Sequence, residues 1–170
     1  MAWATTKYVY CVELFNTWVG KGVEYGIFLM LAIMLIEGVR RYFLNDPTTW
    51  SVELGKFVLG AYFVLGGAYV YLSGGHVRMD ALYSRWSAKR RAITDIATVF
   101  AGIIYLVILW RGAFDNVLFA VRFNQISSTP WGPPLAPIKI IMAVGIVLLL
   151  LQVIASLIRN VSIVKGRPIP

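Results

Sequence analysis

One cysteine and one histidine in 170 residues leave little room for cofactor chemistry. Cys11 has no partner for an intramolecular disulfide. A transmembrane haem site takes paired histidines and a zinc site takes several His, Cys or carboxylate ligands, so His76 with a distant Cys11 argues against an intrinsic cofactor or metal. Charge is scarce as well: 14% of the residues are Asp, Glu, Lys or Arg, against 59% hydrophobic. With a mean hydropathy of +0.72, the chain falls outside the soluble globular range and within the membrane class. Residues 1–19 lack a basic start, short apolar core and small-residue cleavage site, so no removable signal peptide is expected. No Ser/His/Asp set, phosphate loop or placed carboxylate pair points to an enzyme.

What is present is a series of apolar runs. One hydrocarbon crossing takes about 20 residues, so this length accommodates four or five crossings with short loops and no separate soluble domain. The expected fold is an all-α integral membrane protein, a single membrane domain over 1–170 with transmembrane helices at about 18–42, 51–73, 92–112 (extending as far as 123) and 138–159. Ahead of the first crossing, Tyr8, Cys11, Val12, Phe15, Trp18 and Val19 recur at spacings of three and four, the pattern of an amphipathic interfacial lead-in. Met79, Leu82, Tyr83 and Trp86 repeat that pattern in the second loop and predict a second surface helix.

Charges gather at the ends of the runs. In the first crossing Lys21 stands three residues from Glu24, and Glu37 three and four from Arg40 and Arg41, spacings that put each carboxylate beside a basic neighbour. Asp46-Pro47 is a plausible start for the second crossing, and Thr48 or Thr49 would cap it equally well. The segment 127–137 holds four prolines in eleven residues and predicts a rigid extended loop at the membrane edge. With four crossings, ten basic residues fall on the side of the termini and second loop and six on the other, which predicts both termini in the cytoplasm. The net charge of +8 is distributed as topology signals and lipid-headgroup contacts, not as a nucleic-acid patch. Trp18, Tyr42, Trp50, Tyr71, Trp86, Trp110 and Trp131 sit near crossing ends as an aromatic belt.

The second crossing carries the candidate contact surface. Gly60-Ala61, Gly67-Ala68 and Gly74-Gly75 repeat at seven-residue spacing, close to two helical turns, so they form a small-residue stripe along which another helix can approach. Glu53 heads that stripe; it reads either as an ion pair with Lys56 at the headgroup boundary or as a contact to a partner helix. Gly75-His76-Val77-Arg78-Met79-Asp80 behind it reads either as a Gly-terminated helix end or as a specific polar contact. Gln152 is the one strongly polar side chain well inside a crossing and should face another helix.

Arg41-Tyr42-Phe43, Asn45-Asp46, Trp50-x-x-Glu53-Leu54, the Gly/Ala-rich crossing, Gly75-His76-Val77-Arg78-Met79-Asp80, and Ser128-Thr129-x-Trp131-x-Pro133-Pro134 before Leu151-Gln152 together resemble the small, DctQ-type membrane subunit of tripartite ATP-independent periplasmic (TRAP) transporters. The resemblance covers roughly residues 20–160. It implies uptake of small organic anions across the bacterial inner membrane, driven by sodium and fed by a periplasmic substrate-binding protein. It further implies a large transmembrane subunit that holds the substrate and sodium sites, with this chain as the fixed scaffold beside it. On that reading Trp50, Glu53, Gly60, Gly67, Gly74, His76, Arg78, Asp80 and Gln152 are candidate interface residues. Two rivals remain from the residues alone: a self-sufficient homodimeric transporter using Glu24 or Glu37 as coupling carboxylate, and a membrane anchor for an electron-transfer enzyme.

Overall fold

In the computed structural model, residues 2–74 and 88–164 are described. Among the described residues five helices follow one another: α1 (Ala2–Glu24), α2 (Gly26–Phe43), α3 (Ser51–Leu72), α4 (Ala88–Arg122) and α5 (Ala136–Val164). Four spans of the described residues are long and apolar enough to cross a membrane, Thr6–Phe43, Ser51–Leu72, Ile96–Arg122 and Ala136–Ser162. The expected surface helix of the second loop, together with His76, Arg78 and Asp80, lies outside the described residues.

α1 and α2 are separated only at Tyr25, whose backbone is still helical at φ −69 and ψ −18. The 38-residue span they form is about 57 Å long at 1.5 Å per residue, nearly twice the hydrocarbon thickness. The apolar stripe expected on α1 is only partly an outward face: Cys11, Phe15 and Trp18 are exposed, while Val9, Asn16 and Gly20 turn inward.

α3 does not begin at Asp46-Pro47 and has no side-chain cap; its N-cap is Trp50. The expected cap residues are engaged elsewhere: Asp46 pairs with Arg40 and Thr48 bonds to Glu37. The helix ends at Leu72, with the Ser73 N–H on the Tyr69 carbonyl at 2.9 Å and Gly74 in the left-handed region at φ +73, a conformation that suits glycine. Between α4 and α5 the proline-rich segment closes on itself. Ser127 N–H reaches the Pro133 carbonyl and Leu135 N–H the Gln125 carbonyl, each at 2.9 Å, so these backbone groups are paired without a helix.

α3 packs against α1, α2 and α5, α1 also reaches α5, and α4 packs on α5. Close approach depends on glycines other than the predicted stripe. A Cβ at Gly145 of α5 would lie 2.6 Å from the Val64 side chain and 3.0 Å from its backbone; one at Gly20 would lie 2.3 Å from the Tyr69 ring, and one at Gly55 2.4 Å from Met34. α4 and α5 meet through Val99, Leu106 and Val153, with Leu149, Leu150 and Leu157 around them.

One polar pair lies in this packing. Asn16 of α1 donates to Gln152 of α5 at 2.7 Å, and both are 2% exposed. Asn16→Leu would leave Gln152 buried without that donor; we expect a loss of about 0.6–2 kcal/mol, the range of such bonds between membrane helices, measured as a lower midpoint of unfolding in mixed detergent.

Candidate polar locks and partner surface

Glu37 is the most heavily bonded side chain of the described residues. It sits near the end of α2, 6% exposed, one turn before Arg41, whose Nε and Nη2 donate to Oε1 at 3.1 and 2.6 Å. The chain then turns back so that the first residues of α3 meet the other oxygen. Thr48 N–H donates to Oε2 at 3.2 Å, Ser51 Oγ at 2.6 Å, and the Thr48 hydroxyl also donates to it. Both oxygens are therefore occupied, and the carboxylate fastens the α2–α3 turn. The predicted Glu37–Arg41 pair is present, whereas Arg40 turns to Asp46.

Glu53, one turn into α3, is 7% exposed and accepts a hydrogen bond from the Thr129 hydroxyl. No ion pair joins it to Lys56, which is exposed; the headgroup pair suggested by their spacing is replaced by a tie to the proline-rich loop. Lys139 donates to Gln125 Oε1 at 2.7 Å and fixes the same loop to the start of α5. Glu53→Ala should release the loop and speed proteolytic cleavage within 125–135, while Glu53→Gln, which retains an acceptor for Thr129, should cleave at close to the native rate.

At the opposite end of the bundle, Arg159 of α5 pairs with Glu13 of α1 at 2.6 Å. These two residues, with Tyr71, Gln152, Ser156 and Asn160, line a polar cavity of about 210 Å³. Asn16 and Arg159 were missing from the sequence-derived candidates; a polar residue on the otherwise apolar face of α1 was the available signal for Asn16.

The predicted interface residues separate into two groups. Glu53 and Gln152 are buried and bonded within the chain, to Thr129 and Asn16. Trp50 is half-buried at the head of α3. Gly60, Gly67 and Gly74 remain open, with nothing among the described residues within 4 Å of an added Cβ beyond the helix's own neighbours. Gly67 lies in a groove of about 430 Å³ between α1 and α3, lined also by Gly20, Val23, Tyr62, Phe63 and Gly66. Among the described residues no group of three or more His, Cys, Asp or Glu is placed to hold a metal ion.

A family model described as "Tripartite ATP-independent periplasmic transporters, DctQ component" matches residues 30–162. No curated protein and no solved structure matches the chain.

Proposed function

The chain belongs to the DctQ component family of tripartite ATP-independent periplasmic transporters, and we propose that it is the fixed scaffold subunit of such a system, holding a large transport subunit without carrying solute itself. The observation that carries this reading is the use made of the buried polar groups. Glu37 joins α2 to α3, Glu53 joins α3 to the α4–α5 loop, and Gln152 joins α5 to α1. Polar groups in a membrane protein mark either a pathway or a joint; here each is bonded across two segments, as a rigid frame requires. The open glycines of α3 offer the large subunit a surface of close approach.

In this reading the whole chain is one membrane domain of the bacterial inner membrane, with both termini cytoplasmic as the basic residues favour. The system takes up small carboxylates by sodium symport, and a periplasmic binding protein delivers them. The solute and sodium sites lie in the large subunit.

Reconstitution tests the division of labour. Vesicles containing this chain alone should show no sodium-driven carboxylate uptake, and adding the large subunit and the binding protein should restore it. Flux through this chain alone, abolished by Glu24→Gln or Glu37→Gln, would establish the homodimeric transporter instead.

A further inference from the structure

The cavity beside the Glu13–Arg159 pair lies at a membrane edge. On α5 the uncharged run between Lys139 and Arg159 is 19 residues, about 28 Å and close to one hydrocarbon thickness. Arg159 therefore stands where hydrocarbon meets headgroups, with Ser156 and Gln152 about one and two turns further in. The cavity they line has a volume of about 210 Å³, against the roughly 10–15 Å³ that holds one water. It has room for a larger group.

Its walls carry hydrogen-bonding capacity that the chain leaves unused. Arg159 has five N–H donors, and the ion pair occupies one of them, Nη2 to Glu13 Oε1 at 2.6 Å. Among the described residues Glu13 Oε2, Ser156 Oγ and the Asn160 amide have no partner. Gln152 is 2% exposed and accepts from Asn16 through its amide oxygen. Asn16 Oδ1 is the one fully enclosed side-chain polar atom without a partner among the described residues, so the unbonded N–H₂ of Gln152 opens into the cavity. Buried donors left unpaired are costly.

The unused groups define what would fill them. Donors outnumber acceptors, which suits a group that only accepts, and a phosphate does so with charge-assisted bonds. An anion alone would set its charge beside Glu13. Among the described residues one charge of each sign lines the cavity, so a zwitterion satisfies both. Its depth, and the exposed Tyr10 and Leu14 near Glu13 on α1, suit a molecule whose acyl chains continue along the bundle.

We propose that this cavity between α1, α3 and α5 binds one phospholipid with a primary-amine headgroup, phosphatidylethanolamine. Its phosphate meets Arg159, Ser156 and Gln152, and its ammonium meets Glu13 Oε2. Bound there, the lipid bridges α1 and α5 next to the Asn16–Gln152 pair. The proposal rests on the membrane-spanning reading and not on the transport assignment.

Native mass spectrometry of the full chain in mild detergent tests it, with phosphatidylethanolamine, phosphatidylcholine and phosphatidylglycerol of identical acyl chains added in turn. One phosphatidylethanolamine per chain should bind at least about tenfold more tightly than either other lipid, the effect of one charge-assisted hydrogen bond. Phosphatidylcholine shares the phosphate, but its quaternary ammonium has no N–H for Glu13. Inorganic phosphate at equal concentration should not displace the lipid. Arg159→Gln should abolish the preference, and Glu13→Gln should shift it to phosphatidylglycerol, because the unpaired guanidinium then favours a net negative lipid. Should loss of the ion pair unfold the chain, Ser156→Leu fills the cavity with the pair intact and should cost phosphatidylethanolamine the same factor. Equal binding of the three lipids, a preference untouched by Glu13→Gln and Ser156→Leu, displacement by inorganic phosphate, or no retained lipid, as for a cavity that holds water alone, would overturn the proposal.

Discussion

Glu37→Ala should lower the melting midpoint of the detergent-solubilised protein by roughly 5 °C or more, a large effect for one side chain. Alanine removes the acceptor shared by Thr48 N–H, the Thr48 hydroxyl and Ser51 Oγ, and it strands Arg41 beside them. Donors left unmatched in a buried site cost more than the bonds gained by forming them. Glu37→Gln should fall between native and alanine, since one amide oxygen still accepts while the amide N–H₂ opposes Arg41. Ser51→Ala leaves the carboxylate in place and should move stability in the same direction by a smaller amount. If Glu37 were a coupling carboxylate instead, Glu37→Gln would abolish flux without lowering the midpoint.

A second large effect is expected where α3 and α5 touch. Gly145→Leu cannot be relieved by rotating a side chain, because its Cβ would already crowd the backbone of Val64 at 3.0 Å. The helices must part, and overpacking of this kind costs about 1–3 kcal/mol or more. Expression or thermal stability should drop well below native. Gly67→Leu is the contrasting case: among the described residues nothing lies within 4 Å of its Cβ, so the isolated protein should insert and melt as the native one does. Lost retention of the large subunit by Gly67→Leu, with insertion intact, would assign the α3 groove to the partner. Full retention would move the interface to another helix.

The contrast between these glycines marks where reading the sequence stops. Seven-residue spacing picks out Gly60, Gly67 and Gly74, but spacing says only that small residues share a face. Which face meets a sibling helix depends on the neighbour's side chain: Gly145 and Gly20 are needed because the Val64 backbone and the Tyr69 Cβ and ring occupy the space above them, whereas Gly55 meets only the flexible end of Met34. The four apolar spans and the Glu37–Arg41 pair were legible because composition and i, i+4 spacing are local properties. That Gln152 faces another helix was legible too, although its partner Asn16 was not. The link from Glu37 to Ser51 crosses a turn of the chain, and that from Glu53 to Thr129 joins residues 76 apart. Such pairs are set by the packing of whole helices. For the same reason Asp46 and Thr48, good helix starters by type, serve Arg40 and Glu37 instead.

A scaffold that exposes open glycines on α3 and spends its buried polar groups on its own joints should bind another membrane chain and move no solute. Affinity purification of the tagged native chain in mild detergent tests this most directly, combined with carboxylate uptake in cells that lack it. The account predicts that a large multi-spanning subunit is retained in equal amount with the tagged chain, and that uptake is lost when this chain is deleted. Purification without such a partner, together with undiminished uptake in the deletion strain, would contradict it.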